Sequence, residues 1–396
     1  TSGTHAVNPT DGNSNSVPDF VEWVADYFDY SWRFTIDTLG HAAPPIGTGR
    51  YQIGFENMEF YGYCQSIGGR LTRIVMHHTF VGFPPNNDPE GRIKGAAKVT
   101  AIHEFKHAVQ MAFSGWNEPG WFLEMDATWM EDIGYNVVND YYNYLNSSQI
   151  VSPQRNFAQG RGYEDCIWLH YVSQKHGVNT NRLLWERRRS VPGENIYTTF
   201  NSILSTFGST FQIGFAEYHT WNYFTNLRST PLFRSYIEAA NYPISTECKN
   251  VVIPDSSGGC NVTTPAANFI YLRGANLNNL ISLFFDNRIN SPGIVQLAIK
   301  YKNNTSEILS FNISQLTSVE RFFTRRISEI DYIVLIPVFT STTAVSGNFS
   351  YRMTPFFPIT FAHTPQRDVT ANTPIEIKLQ IQTPQNIIVD RKSTRL

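Results

Sequence analysis

The segment with the clearest chemical potential is His103-Glu104-Phe105-Lys106-His107, an HExxH pattern. Apolar residues flank it at the spacing of a buried helix, and on a helix two residues four positions apart share one face. His103 and His107 could therefore present two imidazoles to one Zn²⁺. Glu104 could take a proton from a water molecule at that ion and pass it to a leaving amine. The alternative is a core helix with two satisfied histidines.

A catalytic zinc site normally has a third protein ligand, and the segment 121–135 offers one. Glu124 and Glu131 stand two turns apart on one face of a predicted second helix, whereas Asp126 points elsewhere. We expect Glu124 to be the third zinc ligand. We expect Glu131 to support the site by orienting an imidazole N–H, with a helix-surface carboxylate as the alternative.

These two segments resemble the gluzincin metallopeptidases, in which HExxH is followed on a second helix by a Trp-x-x-Glu-x-x-Ala pattern whose Glu binds zinc. Trp121, Glu124 and Ala127 match that pattern, and Met125 stands where many members have Gly. Residues 1–230 also resemble secreted multidomain metalloproteases of bacteria and archaea, through TDGNSNSVPDFVE, YGYC, HEFKH, WFLEMDATWMED and WNYFT. The resemblance implies a zinc-dependent protease that acts on protein or peptide substrates.

The resemblance also implies a tyrosine that acts on the oxyanion. Gluzincins of the aminopeptidase-like branch often carry a tyrosine that opens a later helix, and Tyr163 matches its place. A phenol O–H aimed at the oxyanion helps only as the charge forms, which is what catalysis needs. A capping or packing tyrosine is the alternative, and His170 is a second candidate donor.

Residues 11–22 form a second candidate metal site. The ligand positions of an EF-hand-type loop fall on Asp11, Asn13, Asn15, Val17 (through its carbonyl), Asp19 and Glu22. Ser16 replaces the usual glycine, and no helix precedes the loop. We expect a structural Ca²⁺ of modest affinity. The alternative is a polar turn with Asp19 near the cap of the next helix.

The predicted fold class is α+β, and 396 residues suffice for two or three domains. Residues 1–245 read as a mainly helical zincin-like domain with a small mixed sheet, and 266–356 as an all-β, jelly-roll-like sandwich. Residues 246–265 are predicted as a linker, and 357–396 as the start of a further β module or a tail.

Three predicted elements bear on the site. Helices are expected over 19–39, 98–113 and 120–145, among others further along the chain. A strand is expected over 71–80. By the resemblance, that strand borders the cleft and pairs with the extended backbone of a substrate.

Charge and composition restrict the partners. Lys plus Arg total 31 and Asp plus Glu total 33, a net charge of -2, which argues against nucleic acid as a main partner. No apolar run is long enough to span a membrane. Sparse charge, at 16%, and abundant Asn, Ser and Thr favour a secreted protein. No signal peptide is visible, so it has been removed or the chain is an internal fragment.

Cysteines and glycosylation sequons fit an exported chain. We expect Cys248 and Cys260 to form a disulfide and Cys64 and Cys166 to pair by elimination, with buried free thiols as the alternative. Sequons, which an Asn-rich chain also produces by chance, begin at Asn146, Asn261, Asn303, Asn304, Asn312 and Asn348.

Two other functions stay open. The chain could be a non-catalytic secreted adhesin or binding protein with a structural or relic metal site. Its β-sandwich would then bind glycan or protein. A metal-dependent hydrolase of another bond is also possible, because the same site can polarise other carbonyls.

Overall fold

The computed structural model describes residues 3–47, 49–253, 256–356, 380–382 and 388–390, and it has an α+β architecture. Helices dominate the N-terminal part around one small mixed sheet. The C-terminal part consists of two larger sheets arranged like a β-sandwich. The α+β prediction is confirmed at this level. Among the described helices, none is both long enough and apolar enough to cross a bilayer.

Within the described ranges, seven α-helices occupy the segments whose apolar residues repeat at helical spacing. They are α1 (Asp19–Trp32), α2 (Arg92–Ser114), α3 (Gly120–Gly134), α4 (Cys166–His176), α5 (Asn179–Ser190), α6 (Ile196–Ser205) and α7 (Phe211–Tyr223). A π-helix at Arg33–Thr38 continues α1, so the predicted helix over 19–39 is these two elements. Short 3-10 helices lie at Asp140–Ser147 and Tyr163–Asp165.

α2 is the central element of the helical part. It begins at Arg92, before the predicted start at residue 98, and nearly every residue from Gly95 to Phe113 is buried. The cause is that α1, α3, α5 and the small sheet all contact it. Gly115 ends the helix in a left-handed conformation, with φ of 68°, which favours glycine. The two histidines of the HExxH pattern therefore lie inside the molecule.

The predicted helix over 120–145 is wrong in its second half. α3 ends at Gly134, where an added Cβ would lie 2.2 Å from Cδ1 of Ile102 on α2, so a side chain there would force Ile102 to shift. Asn139 then takes a left-handed conformation with φ of 53°, and a separate 3-10 helix follows. Because α3 packs along α2, its carboxylates come close to the histidines.

The small sheet contains β1 (Ile53–Glu56), β2 (Gly62–Gly68) and β3 (Leu71–His77), in the order β1-β3-β2. β3 is parallel to β1 and antiparallel to β2. The strand predicted over 71–80 is therefore the central strand, and it ends at His77. Since its two neighbours already pair with it, it cannot also pair with a substrate. β1 and β2 are the two edge strands, and β2 rather than β3 lines the cleft beside His103, so the role expected for 71–80 is wrong.

The C-terminal part forms two sheets. Their strands are β4 (Lys249–Val252), β5 (Ser256–Thr263), β6 (Ala266–Ala267), β7 (Ile270–Arg273), β8 (Leu280–Asn287), β9 (Gly293–Tyr301), β10 (Ser306–Ile313), β11 (Ser318–Phe322), β12 (Ile330–Phe339) and β13 (Ser346–Phe356). One sheet has the order β10-β9-β12-β7-β4, with β6 on β12, and the other has the order β11-β8-β13-β5. Apolar side chains of both sheets, such as Phe285 and Leu335, share one core.

The segment 246–265 is not a linker, as the sequence predicted, but part of the sandwich. β4 runs parallel to β7 in one sheet, and β5 pairs antiparallel with β13 in the other. The predicted disulfide between Cys248 and Cys260 is present and joins this segment to itself. The sequence prediction failed here because the segment is rich in Gly, Ser and Pro, a composition that is typical of linkers.

The predicted pairing of Cys64 with Cys166 is wrong, because both thiols are free. Cys64 lies on the edge strand β2, whereas Cys166 is fully buried at the first residue of α4. Of the predicted β module over 357–396, the structure describes two short strands, β14 (Gln380–Gln382) and β15 (Ile388–Asp390), which pair antiparallel. The rest of that prediction lies outside the described residues.

The sandwich packs against the helical part through α7. That helix contacts β9 and β12, and Phe215 of α7 belongs to the same apolar core as Ala298 and Val334 of those strands. The Thr220 hydroxyl on α7 hydrogen-bonds the side chain of Gln296 on β9. The side of α2 that carries His103 and His107 lies elsewhere in the helical part, beside β2 and α3.

Candidate metal centre and cleft

Three of the predicted site residues converge at the contact of α2 with α3. Among the described residues, His103, His107 and Glu124 form the one group of three histidine, cysteine or carboxylate side chains with donor atoms within 4.8 Å of one another. The two Nε2 atoms lie 3.1 Å apart. Oε2 of Glu124 lies 3.1 Å from Nε2 of His103 and 3.4 Å from Nε2 of His107.

The size of this triangle fits a tetrahedral zinc site. Donor atoms at 2.0–2.1 Å from a tetrahedral Zn²⁺ stand about 3.3 Å from one another. The three observed separations, 3.1, 3.1 and 3.4 Å, are close to that value. Two imidazoles and one carboxylate are also a ligand set that catalytic zinc sites use, with the fourth position left for water.

The hydrogen bonds of the two rings explain why a cation suits this point. Nδ1 of His103 lies 2.6 Å from Oε1 of Glu131, and Nδ1 of His107 lies 2.8 Å from Oε1 of Gln110. Both partners can accept, so in the neutral form of each ring Nδ1 carries the proton and Nε2 has the lone pair. Two such lone pairs and a carboxylate oxygen would face one another, and a shared cation, either a proton or a metal ion, offsets their repulsion.

The carboxylates around the histidines favour positive charge in the same place. Burial lowers the pKa of His103, but hydrogen bonds to Glu124 and Glu131 outweigh it and hold that pKa well above its usual value. Burial raises the pKa of Glu124, but its hydrogen bonds to the two histidines outweigh burial and lower that pKa.

Glu104 lies where the sequence predicted a general base. It follows His103 on α2 and lines the same cleft as His103 and Tyr163. Its side chain is buried, and its Oε2 has no hydrogen-bond partner among the described residues. Burial raises the pKa of Glu104, which increases its basicity once it is ionised. The arrangement leaves one carboxylate oxygen available for a proton.

Gly62 on β2 lets the edge strand approach this carboxylate. An added Cβ at Gly62 would lie 2.9 Å from Cγ2 of Thr100 and 3.3 Å from Cγ of Glu104, both on α2. The first distance is shorter than real side chains allow, so glycine is required here. Residues 62–64 of β2 consequently form one wall of the cleft.

Tyr163 lies beside the candidate ligands. Its ring stacks on the ring of His103, with centroids 6.0 Å apart and planes 21° apart, and on its other neighbour Tyr144 at 5.0 Å. Burial and the negative charge of Glu124 raise the pKa of Tyr163, so the phenol keeps its proton and is able to donate it in a hydrogen bond. It opens the short 3-10 helix that precedes α4, as the sequence indicated.

His170, the second candidate donor, is not in the cleft. It is fully buried on α4, its ring stacks on Tyr141 with centroids 4.9 Å apart, and neither of its ring nitrogens has a hydrogen-bond partner among the described residues. Burial lowers the pKa of His170 to about 3, so the ring is neutral. Its role is in the core, and the prediction of His170 as a donor is wrong.

The cleft extends to both sides of the candidate ligands. One lobe has a volume of about 900 Å³ and reaches Tyr61, Phe83 and Asp140. The other has a volume of about 230 Å³ and reaches Trp116 and Leu123. Gly62, His103, Glu104 and Tyr163 line both lobes. The two lobes therefore meet beside His103, Glu104 and Tyr163.

Sequence reasoning missed two parts of this site. Gln110, three positions after His107 on α2, accepts the hydrogen bond from that ring, and the i,i+3 spacing could have indicated it. Asp126 points away from the candidate ligands, as predicted, but it hydrogen-bonds Gln110, with 2.7 Å between Nε2 and Oδ2. Contacts of this kind between α2 and α3 depend on how the two helices pack, and no local sequence pattern indicates them.

The predicted calcium loop brings its side chains together on the surface. The Asn13 amide nitrogen lies 2.9 Å from Oε2 of Glu22, and the Asn15 amide contacts the same carboxylate. The backbone N–H of Gly12 donates to Asp19 over 2.9 Å, and the backbone N–H of Ser16 donates to Asp11 over 2.9 Å. The loop is closed by these hydrogen bonds, and a calcium ion there stays a prediction.

Comparisons with known proteins assign no family. No protein-family model matches the chain, and no curated protein matches it. Solved structures that are similar to part of it include the pre-peptidase C-terminal domain of a Bacillus anthracis collagenase, at 9% identity and a TM-score of 0.21, covering 27% of this chain and 96% of that domain. A CBM4 structure matches at 11% identity and a TM-score of 0.18, covering 26% of this chain and 74% of that chain.

A third similar structure is a disulfide-linked pilus protein of Bacillus endospore appendages. It is 14% identical, has a TM-score of 0.18, and covers 25% of this chain and 84% of that chain. At these TM-scores, none of the three structures carries an argument about function.

Proposed function

We propose that this protein is a secreted zinc-dependent metallopeptidase whose helical part is a zincin-like catalytic domain. One observation carries the proposal: donor atoms of His103, His107 and Glu124 form a triangle with edges of 3.1, 3.1 and 3.4 Å, beside the buried carboxylate of Glu104. The resemblance of the two sequence segments to gluzincins points to the same activity.

The three ligands would hold a Zn²⁺ that supplies Lewis-acid polarisation of the scissile carbonyl and a water of lowered pKa. Glu104 takes the proton of the attacking water and passes it to the amine nitrogen as the peptide bond breaks. The phenol of Tyr163 donates a hydrogen bond to the carbonyl oxygen as negative charge develops there. Glu131 holds the ring of His103 in one tautomer throughout.

The edge strand β2 supports a peptide as substrate. Its residues 62–64 line the cleft, and β3 occupies only one of its sides. An extended peptide is able to add to such an edge through main-chain hydrogen bonds. The lobes on both sides of the candidate ligands offer space for side chains before and after the bond that is cut. This strand takes the role that the sequence assigned to 71–80.

Secretion and calcium binding belong to the same proposal. All six sequon asparagines are exposed, and the disulfide between Cys248 and Cys260 suits an oxidising compartment. The loop of residues 11–22 would bind Ca²⁺ next to the start of α1. Binding of a glycan or a protein by the sandwich stays a prediction.

The test is digestion of casein by the protein, with and without a chelator, and again after zinc is restored. The wild type should digest casein, lose the activity with the chelator and regain it with zinc. Glu104→Gln should lose most of the activity under all conditions. Glu186→Gln, an exposed glutamate on α5, is the matched control and should behave as the wild type. Tight zinc binding without any hydrolysis would instead support the non-catalytic binding protein.

A further inference from the structure

The second candidate ligand, His107, is oriented through a buried chain of polar side chains. Its Nδ1 lies 2.8 Å from Oε1 of Gln110, whose side chain is fully buried. The amide nitrogen of Gln110 donates to the carbonyl oxygen of Leu123 over 2.9 Å and to Oδ2 of Asp126 over 2.7 Å. Both amide hydrogens thus point to acceptors on α3, and only the amide oxygen is left for His107.

Asp126 is fixed in turn by a buried ion pair. Its carboxylate lies 3.4 Å from Nζ of Lys106, and both side chains are completely buried. Asn181 on α5 joins them, because its amide nitrogen donates to Oδ1 of Asp126 over 2.6 Å and its oxygen accepts from Lys106 over 3.0 Å. A buried ion pair is costly to form, so its presence beside a metal-binding helix calls for a role.

A charged Asp126 has a specific effect on Gln110. Because a carboxylate only accepts hydrogen bonds, it repels the amide oxygen and favours the orientation in which the amide nitrogen faces it. If the amide turned over, its oxygen would face both Asp126 and the Leu123 carbonyl, and its nitrogen would face His107. The ion pair and the Leu123 carbonyl therefore act together to present the amide oxygen of Gln110 to His107, which places the proton of the neutral ring on Nδ1.

We propose that Gln110 is a positioning residue for the zinc ligand His107, and that the Lys106–Asp126 pair fixes the direction of the Gln110 amide. This inference rests on the proposed function. Lys106 lies within the HExxH segment, but its side chain is on the other side of α2 from the histidines. There it contacts Asp126 of α3 and Asn181 of α5. The two histidines are thus oriented by different groups. His103 contacts the carboxylate of Glu131, whereas His107 contacts the neutral amide of Gln110, which Asp126 holds in turn.

The test compares zinc affinity with the stability of the metal-free protein. Gln110→Met keeps the side-chain length and removes the acceptor, so zinc should bind about 10- to 100-fold more weakly, as when comparable partners of metal ligands are removed. The Tm of the metal-free variant should change only slightly, so that a loss of folding stability does not account for the loss of zinc affinity. Gln212→Met, at an exposed position of α7, is the control and should leave both quantities unchanged. Affinity is measured by competition with a chelating indicator.

A second variant covers the case in which Gln110→Met does not fold. Lys106→Met combined with Asp126→Asn removes both charges together, so no unpaired charge is left buried. The amide of Gln110 is then held only by the Leu123 carbonyl, and zinc should bind several-fold more weakly. Asp126→Asn alone leaves Lys106 unpaired and is not used.

The outcomes separate this inference from the function on which it rests. Wild-type protein that binds zinc tightly, together with a folded Gln110→Met or double variant whose affinity is within about twofold of it, overturns the inference and leaves the peptidase proposal intact. A loss of affinity that only parallels a loss of Tm in the metal-free protein also overturns it. Wild-type protein that binds no zinc overturns both.

Discussion

The ring of His103 contacts a carboxylate at each of its nitrogens, and both carboxylates belong to α3. Nε2 lies 3.1 Å from Oε2 of Glu124, and Nδ1 lies 2.6 Å from Oε1 of Glu131. The two glutamates stand two helical turns apart on one face, so the ring lies between them. One helix thus supplies both a candidate ligand and the group that orients another ligand.

The contact of Glu131 with His103 predicts a graded loss of metal affinity. Glu131→Leu removes the acceptor, and zinc should bind about 10- to 100-fold more weakly. Glu131→Gln keeps an acceptor oxygen and should lose less. Competition titration with a chelating indicator measures both. Equal affinity in Glu131→Leu and the wild type would show that the contact does not support the metal.

Glu104→Gln separates metal binding from proton transfer. The amide has the same shape but accepts no proton from water, so kcat should fall by about 10²- to 10⁴-fold. Zinc content should stay as in the wild type, since Glu104 is not one of the three converging donors. Steady-state kinetics and elemental analysis give the two quantities. Full turnover in this variant would refute the role of Glu104.

Tyr163→Phe tests the oxyanion donor. The ring and its stacking on His103 remain, and only the hydroxyl is lost. Removing one oxyanion donor should lower kcat by about 10²- to 10³-fold and leave KM and zinc affinity nearly unchanged. If Tyr163 is instead a packing residue, kcat stays the same and only the Tm shifts.

The loop of residues 11–22 predicts calcium-dependent stability. Calcium at about 100 times its Kd would stabilise the folded state by about 2.7 kcal/mol, which raises the Tm by a few degrees. Glu22→Gln should remove most of that increase, because Glu22 is the side chain on which Asn13 and Asn15 converge. Thermal unfolding in calcium and in calcium-free buffer measures it. The same Tm in both buffers would favour the polar turn.

Because His219 is buried in the core, we expect the free energy of unfolding to fall at acid pH. It is fully buried on α7 against Phe215, and burial lowers its pKa to about 3. The folded state holds the ring neutral, so this site contributes its full stability above the unfolded pKa of about 6.5 and loses it as the pH falls. The loss reaches about 2 kcal/mol at about pH 5.

His219→Phe removes that titration. The difference in free energy of unfolding between the variant and the wild type should shift in favour of the variant as the pH falls from about 7.5 to about 5. Above about pH 7 the difference should be constant, which serves as the control. Chemical denaturation at each pH measures it. Parallel pH profiles of the two proteins would contradict the buried, neutral state of His219.

Local sequence patterns predicted the parts of the site that depend on helical spacing. His103 and His107 share a face through i,i+4 spacing, and Glu124 with Glu131 through two full turns, so their convergence needed only that α2 and α3 meet. The sandwich was likewise visible in alternating apolar runs. These signals are short-range, and they hold in any fold that brings the two helices together.

The features that sequence could not predict depend on long-range packing. The sequence indicates strands in this region, but only the folded sheet shows that β3 is central and that β2 is an edge strand. The contacts from Lys106 to Asp126 and Asn181 join α2, α3 and α5. Such contacts leave no periodic trace in the chain, and a buried lysine looks the same in sequence as an exposed one.

The measurement that tests the central claim most directly is anomalous diffraction at the zinc edge, on crystals of protein purified without added metal. We expect one zinc peak with Nε2 of His103, Nε2 of His107 and a carboxylate oxygen of Glu124 at about 2.0–2.2 Å, and solvent at the fourth position. No peak among these three side chains, or a fourth protein ligand that closes the site, would contradict the account.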